Sequence, residues 1–260
     1  MIAAGCDVGS LTTKAVILNN TRLLGHALIG SSFNPEKSAA EVMEKALAAA
    51  HLTMDDIGFC VGTGYGRERI GFVKKTISEI SCHAKGAHFL QPSMRTIIDI
   101  GGQDCKAIRL DEKGEIVKFM TNDKCASGTG RFLEVMAKLL GLELEELGRI
   151  SGQTTQPINL AATCTVWAQA EVIMHLNDGM SKADLAAGIN EAMAARIAIL
   201  ARSVGIEKDV CMTGGVAKNT GVIQAMEKQL GIPMRRLRVD PQMMGALGAA
   251  VFARERMGGR

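Results

Sequence analysis

Short apolar runs that stop at clusters of glycine and small polar residues alternate along the chain with longer stretches whose apolar residues recur at helical spacing. Residues 7–18, DVGSLTTKAVIL, align without gaps against residues 99–110, DIGGQDCKAIRL, at an offset of 92, sharing Asp, Gly, Lys, Ala and the final Leu. Self-similarity of this kind marks an internal duplication of one structural unit. In each copy an apolar run ends in Asp-x-Gly, turns on small residues and resumes, which predicts a β-hairpin with a glycine-rich turn. A weaker echo links residues 59–66, FCVGTGYG, with 210–217, VCMTGGVA, each a strand running into a glycine-rich turn. Helices are predicted over 39–50 after Pro35, 132–140 before Gly141, 221–230 and 243–257. A further helix spans 181–204, opening on the capping-type pair Ser181 and Asp184 and ending at Gly205. The order is hairpin, helix, strand; then hairpin, long helical section, strand, helix, strand, helix. It predicts an α/β protein of two duplicated lobes, 1–95 and 96–260, with a cleft between them and the C-terminal helix available to complete the first lobe.

Composition narrows the partners. The 260 residues are 47% hydrophobic and 22% charged, ordinary globular usage with length enough for a large core. A net charge of +3, no Lys/Arg run longer than a pair, and 3% aromatics that never interleave with basic residues argue against nucleic acid. The N-terminal MIAAGCDVGS lacks a basic region and reaches Asp7 too early for a secretory signal, so a cytoplasmic location is expected. Residues 151–170 carry no Asp, Glu, Lys or Arg but are rich in Gln, Thr, Asn and Pro, so a membrane span is not expected. Seven cysteines with no C-x-x-C pair fit a reducing compartment and exclude a zinc ribbon or thioredoxin motif.

Three turns have phosphate-handling chemistry. In the first, Asp7-Val8-Gly9-Ser10 leads to Leu11, Thr12, Thr13 and Lys14. Small residues let backbone N–H groups approach a phosphate, hydroxyls donate, and a lysine adds a point charge. A strand-end Asp can hold Mg²⁺ through its water shell. One copy alone reads equally as an ordinary β-turn. The second copy supplies Asp99, Gly101, Gly102 and Gln103, giving a second carboxylate and an amide able to orient water. The third turn, with Gly214, Gly215 and Val216, permits a flat adenine or ribose to lie against the backbone. Neither a P-loop nor a G-x-G-x-x-G motif is present, so nucleotide binding must be of another kind.

Two cysteines precede helix-start signals: Cys125 in CASGTGRF, ahead of Gly128-Thr129-Gly130, and Cys164 ahead of the 166–176 pattern. A helix N-terminus lowers a thiol's pKa and favours an anionic ligand. Taken alone, the same residues read as small buried core positions, as Cys6, Cys60 and Cys211 do within their strand patterns. Cys82-His83 is no nucleophile–base pair, because neighbours on a helix point about 100° apart. Lys106 reads as a solvated strand residue or as the twin of Lys14.

In this order the three turns resemble the phosphate-1, phosphate-2 and adenosine motifs of the actin, hexokinase and Hsp70 ATPase superfamily, whose two lobes are related ribonuclease-H-like repeats. A narrower resemblance rests on GTGYGR (62–67), SEISCHAKGA (78–87), DIGGQD, NDKCASGTGRF (122–132), TCTVWAQAEV (163–172), VCMTGGVAKN and GALGAA (245–250). Together these look like the ATP-dependent activator, or archerase, of (R)-2-hydroxyacyl-CoA dehydratases. That family includes the ATPase subunits of benzoyl-CoA reductase and the reductases of double-cubane-cluster proteins. The resemblance implies a homodimer with one [4Fe–4S] cluster held by Cys125 and Cys164 of both chains, the uncharged 151–170 stretch being buried near the twofold axis. It also implies ATP/ADP with Mg²⁺ near Asp7 and Asp99, catalysis by Asp7, Asp99 and Gln103, and nucleotide contacts from Ser10 to Lys14, Gly101 to Gln103, Gly214 to Val216 and Gln242. Cys105 stands where the family has an aliphatic residue.

The function implied is an ATPase that passes single low-potential electrons from a ferredoxin or flavodoxin to an iron–sulfur acceptor enzyme. Lifting an electron by about 200–300 mV takes about 5–7 kcal/mol, within reach of ATP hydrolysis. ATP shifts the conformation only by its differential affinity for the two states. Two alternatives from the same superfamily are a small-molecule kinase and a nucleotide-controlled assembly module; neither requires Cys125 or Cys164.

Overall fold

The computed structural model describes residues 1–122, 125–154, 156–161 and 164–258. Asp123, Lys124 and Thr163 of the quoted cysteine motifs lie outside the described residues, as do Thr155 and Ala162 of the uncharged stretch. In chain order the described elements are β1 (Ile2–Val8), β2 (Thr12–Asn19), β3 (Arg22–Gly30), α1 (Pro35–Ala50), β4 (Phe59–Thr63), β5 (Lys75–Thr76), α2 (Glu79–Leu90), β6 (Thr96–Ile100), β7 (Cys105–Leu110), β8 (Ile116–Asn122), α3 (Gly130–Leu140), α4 (Leu144–Ser151), α5 (Thr165–Asn177), α6 (Lys182–Val204), β9 (Val210–Thr213), α7 (Thr220–Leu230) and α8 (Met244–Gly258). The chain divides into two units, one of Met1–Arg95, Leu110–Val117 and Leu237–Arg260, the other of Thr96–Arg109 and Lys118–Arg236. No described helix is long and apolar enough to cross a membrane.

In the first unit the described strands form a mixed sheet ordered β3-β2-β1-β4-β5, with β1 antiparallel to β2 and parallel to β4. Strand alternation gives it two apolar faces. Ala4, Cys6, Val8, Ala15 and Ile17 pack with Val42, Met43 and Ala46 of α1. Val16 and Leu18 point the other way, onto Met244, Leu247 and Val251 of α8. α1 starts where Asn34 accepts from the Lys37 N–H at 3.1 Å and Pro35 presets the first turn. α8 is rich in Gly and Ala because backbone presses on backbone. A Cβ on Gly248 would strike the Cys82 carbonyl of α2, and one on Gly5 of β1 would strike α8 itself.

The second unit repeats the plan. Its sheet is ordered β8-β7-β6-β9, with β6 antiparallel to β7 and parallel to β9. Ile98, Ile100 and Met212 join Phe132, Leu133 and Met136 of α3, Ile189, Met193 and Ile197 of α6, and Val222 and Met226 of α7 in one core. Ser181 caps α6 by accepting from the Asp184 N–H at 3.1 Å, and Gly205, at φ 75°, ends it. The predicted strand between α7 and α8 does not form as a ladder among the described residues; a single bridge joins Met234 to Val210. Pro233 lacks the N–H that a ladder would use there.

Candidate functional site

Asp7 is the penultimate residue of β1 and β2 returns Lys14 directly opposite, so that Nζ meets Asp7 Oδ2 at 3.2 Å, both groups being buried or nearly so. β4 places Thr63 beside Asp7 in parallel register. Gly64 follows at φ 89°, where a Cβ would run into Asp7 Oδ1. The turn itself closes through Gly9 N–H to the Thr12 carbonyl at 3.1 Å. Ser31, at the end of β3, staples it: its hydroxyl donates to the Gly9 carbonyl at 2.8 Å and lies 2.9 Å from Thr13 Oγ1. Thr13 is therefore buried with its hydroxyl engaged, while Ser10, Leu11 and Thr12 are half-buried.

The same geometry recurs around Asp99. Lys106 opposes it across the β6–β7 hairpin, with Nζ 3.6 Å from Asp99 Oδ2 and a closer ion pair to Asp104. Thr213 lies beside it on β9 and donates its hydroxyl to Asp99 Oδ1 at 2.8 Å. Gly214, at φ 82°, again leaves no room for a Cβ next to the carboxylate. Gln103 is exposed at the tip of the turn, and Gly101 N–H closes it on the Asp104 carbonyl at 3.0 Å. Val216 is buried and Gly215 exposed in the third turn. Gln242 belongs to the first unit, where its N–H donates to Asp240 Oδ1 at 2.9 Å.

The second turn is bonded to the segment that follows the first exposed cysteine. Gly130 N–H donates to the Gly101 carbonyl at 2.8 Å and Arg131 N–H to Gly102 at 3.0 Å. These are N-terminal amides of α3, which have no partner inside their own helix. Gly130 is small enough for this approach, and Val216 of the third turn lies beside it. Cys125 does not itself start α3: a short 3₁₀ turn, Ala126–Gly128, intervenes, and Thr129 is the cap.

Of the seven cysteines, Cys125 and Cys164 are exposed and the other five are buried. Burial pushes the Cys60 and Cys82 thiols up to about 12 and raises Cys6, Cys105 and Cys211 as well. Cys125 goes the other way. Hydrogen bonding from Ser127, whose Oγ lies 2.9 Å from Sγ, and the charge of Arg196 hold its thiol below the usual value. Asn122 clamps the Cys125 backbone from both sides, accepting from its N–H and donating to its carbonyl, each at 3.3 Å. Cys164 caps α5, its carbonyl accepting from Ala168 N–H at 2.9 Å. Most described residues of the uncharged 151–170 stretch are exposed in the single chain; Ile158, Leu160 and Ala168 are among the buried exceptions. Among the described residues no three His, Cys, Asp or Glu side chains converge as a metal site.

Sequence reading passed over Ser31, Asn122 and Arg196, and weighed His83 only as a partner for Cys82. His83 is buried on α2, and a Cβ on Gly245 would sit 2.7 Å from Asp7 Oδ2 and 3.1 Å from His83 Nε2. The imidazole and the carboxylate thus border one small space that Gly245 keeps open. Cys82, the neighbour of His83 on the helix, packs instead with Ala3, Val61, Ala249 and Ala253.

The model of the BadF/BadG/BcrA/BcrD ATPase family matches residues 4–253. The chain is 47% identical over 255 residues to the activator of lactoyl-CoA dehydratase from Anaerotignum propionicum, covering 98% of each. Component A of the (R)-2-hydroxyglutaryl-CoA dehydratase of Acidaminococcus fermentans matches with a TM-score of 0.96 at 41% identity over 99% of both chains. The activator of the 2-hydroxyisocaproyl-CoA dehydratase from Clostridium difficile, solved with bound ADPNP, matches at 0.94 and 41% identity, covering 99% of this chain and 96% of that one. A ROK hexokinase from Thermus thermophilus, at 14% identity and a TM-score of 0.55 over 99% of this chain and 100% of its own, shares the fold alone.

Proposed function

Because this chain belongs to the BadF/BadG/BcrA/BcrD ATPase family, we propose that it is an ATP-hydrolysing activator that works as a homodimer around one [4Fe–4S] cluster and delivers single low-potential electrons to an iron–sulfur partner enzyme. The observation that carries this reading is the selective exposure of Cys125 and Cys164, both within the electrostatic reach of one cation, Arg196, while five other thiols are buried. A [4Fe–4S] cluster takes four thiolates, so two per chain call for a second copy of the chain. Apolar side chains flank Cys164: Val166, Trp167, Ile173 and Met174 stand exposed on α5, a face that a second copy would cover. The donor set fits the group, since both thiols are accessible and Arg196 bonds the turn that carries one of them. When bound, the cluster supplies one-electron chemistry.

The rest of the work falls to this chain's own groups. Asp7 and Asp99, each braced by a lysine and followed across the sheet by a Thr-Gly turn, are the residues assigned to Mg·ATP, with exposed Gln103 to orient water. The hydrogen bonds from Gly130 and Arg131 to the Gly101–Gly102 turn give the nucleotide a direct mechanical path to α3 and the Cys125 segment. Iron and sulfide analysis of anaerobically purified protein tests the reading. One [4Fe–4S] per dimer is expected, lost in Cys125→Ala and Cys164→Ala and kept in Cys6→Ala and Cys211→Ser. A full cluster in either of the first two variants overturns it.

A further inference from the structure

Arg196 approaches the Cys125 segment from α6, far away in sequence. Its guanidinium lies over the Phe132 ring, 5.4 Å from the centroid, and Nη1 donates to the Ser127 carbonyl at 3.3 Å. Ser127 Oγ is in turn 2.9 Å from Cys125 Sγ. The same half-buried guanidinium interacts electrostatically with both Cys125 and Cys164. One side chain therefore holds the turn that presents the first exposed cysteine and carries a charge felt at both. A planar fork can stack on an aromatic ring and donate from its edge at the same time; a lysine in this place would keep the charge and lose the stack.

Building on the cluster reading above, we propose that Arg196 is the positioning cation of the cysteine pair. It fixes the Ala126–Gly128 turn against α6 and Phe132, and it sets one positive charge beside the two thiolates that each chain contributes. A four-thiolate cluster is an anion, and accepting an electron adds one more negative charge with no bond made or broken. A nearby fixed cation stabilises the more negative form, so Arg196 raises the potential at which the electron is accepted. In the dimer the effect acts twice, once from each chain.

The test is an EPR-monitored redox titration of the anaerobic dimer with titanium(III) citrate, for the wild type, Arg196→Lys and Arg196→Gln, with iron content and ADPNP binding measured on the same samples. At the poise that half-reduces the wild type, the reduced-to-oxidised ratio of R196Q is expected to fall about tenfold, equal to about 59 mV for a one-electron couple. R196K is expected to recover most of that shift. Loss of iron in R196Q with retention in R196K supports the same role. An R196Q protein with full iron and wild-type potential overturns the proposal, as do equal shifts in R196K and R196Q. Iron lost from both variants with ADPNP binding intact also overturns it, leaving a packing role. A wild type that takes up no iron fails at the cluster reading itself, and is told apart because the defect shows before any substitution.

Discussion

The hydroxyl of Thr213 donates to Asp99 Oδ1 at 2.8 Å across the parallel strands β6 and β9. Thr63 holds the corresponding register position beside Asp7, yet its hydroxyl is buried without a hydrogen bond of normal geometry. Its neighbour is the Cys82 thiol, whose burial-raised pKa it partly offsets. The duplicated units thus share a backbone frame and differ in how the frame satisfies its carboxylate.

That difference predicts unequal costs for the same substitution. Thr213→Val strips a buried carboxylate of a donor and is expected to destabilise by about 1–3 kcal/mol. Thr63→Val removes a hydroxyl that leaves its carboxylate's hydrogen bonds unchanged and has only the Cys82 thiol as neighbour, so it is expected to cost less. Urea denaturation of the two variants measures it, and equal losses would show that Thr63 is paired in solution.

Asp7→Asn and Asp99→Asn should each lower Mg·ATP turnover by about 10–100-fold, the usual effect of altering a group that orients a metal's ligands. Steady-state phosphate release reads this. Iron content should stay at the wild-type level, because neither residue contacts a cysteine segment in the proposed scheme. Wild-type turnover in both variants would remove the paired turns from the nucleotide site.

Alkaline pH should destabilise the fold through its buried thiols. Cys60 and Cys82 are raised to about 12 in the folded chain, against about 8.5 for a free thiol. Between those values the unfolded chain has released protons that the folded chain retains. Stability therefore falls as pH rises, by about 1.4 kcal/mol per group per pH unit, and is unaffected below the free-thiol value. Denaturation at pH 8 and pH 10 should show this slope, reduced in the Cys60→Ala, Cys82→Ala double variant; an unchanged slope would locate it elsewhere.

Nucleotide should reach the cysteine segment through the Gly101–Gly130 and Gly102–Arg131 hydrogen bonds. Adding Mg·ATP or an ADP–metallofluoride mimic to the iron-loaded dimer is expected to speed removal of iron by a chelator and to shift the EPR signal. Chelation rates and spectra indifferent to nucleotide, in protein shown to bind it, would refute this coupling.

Much of the frame can be read along the chain because its signals are local. The Asp-x-Gly hairpins place Lys14 opposite Asp7 and Lys106 opposite Asp99 through turn length alone, and the duplication is visible as aligned letters. The predicted helices appear where apolar spacing and caps such as Ser181 and Gly205 mark them. β8 left no such trace, since most of it is exposed and no apolar alternation is required of it. The C-terminal helix was expected as a candidate to complete the first lobe, but local pattern could neither seat α8 there nor bring His83 near Asp7; glycine-to-backbone contacts at Gly5, Gly86 and Gly248 set that packing. Arg196 and Ser127 are 69 residues apart and meet only because α6 crosses beneath the Cys125 turn. Hairpins and helices arise from neighbours in sequence, whereas the charge beside a thiol depends on which distant helix the core brings there.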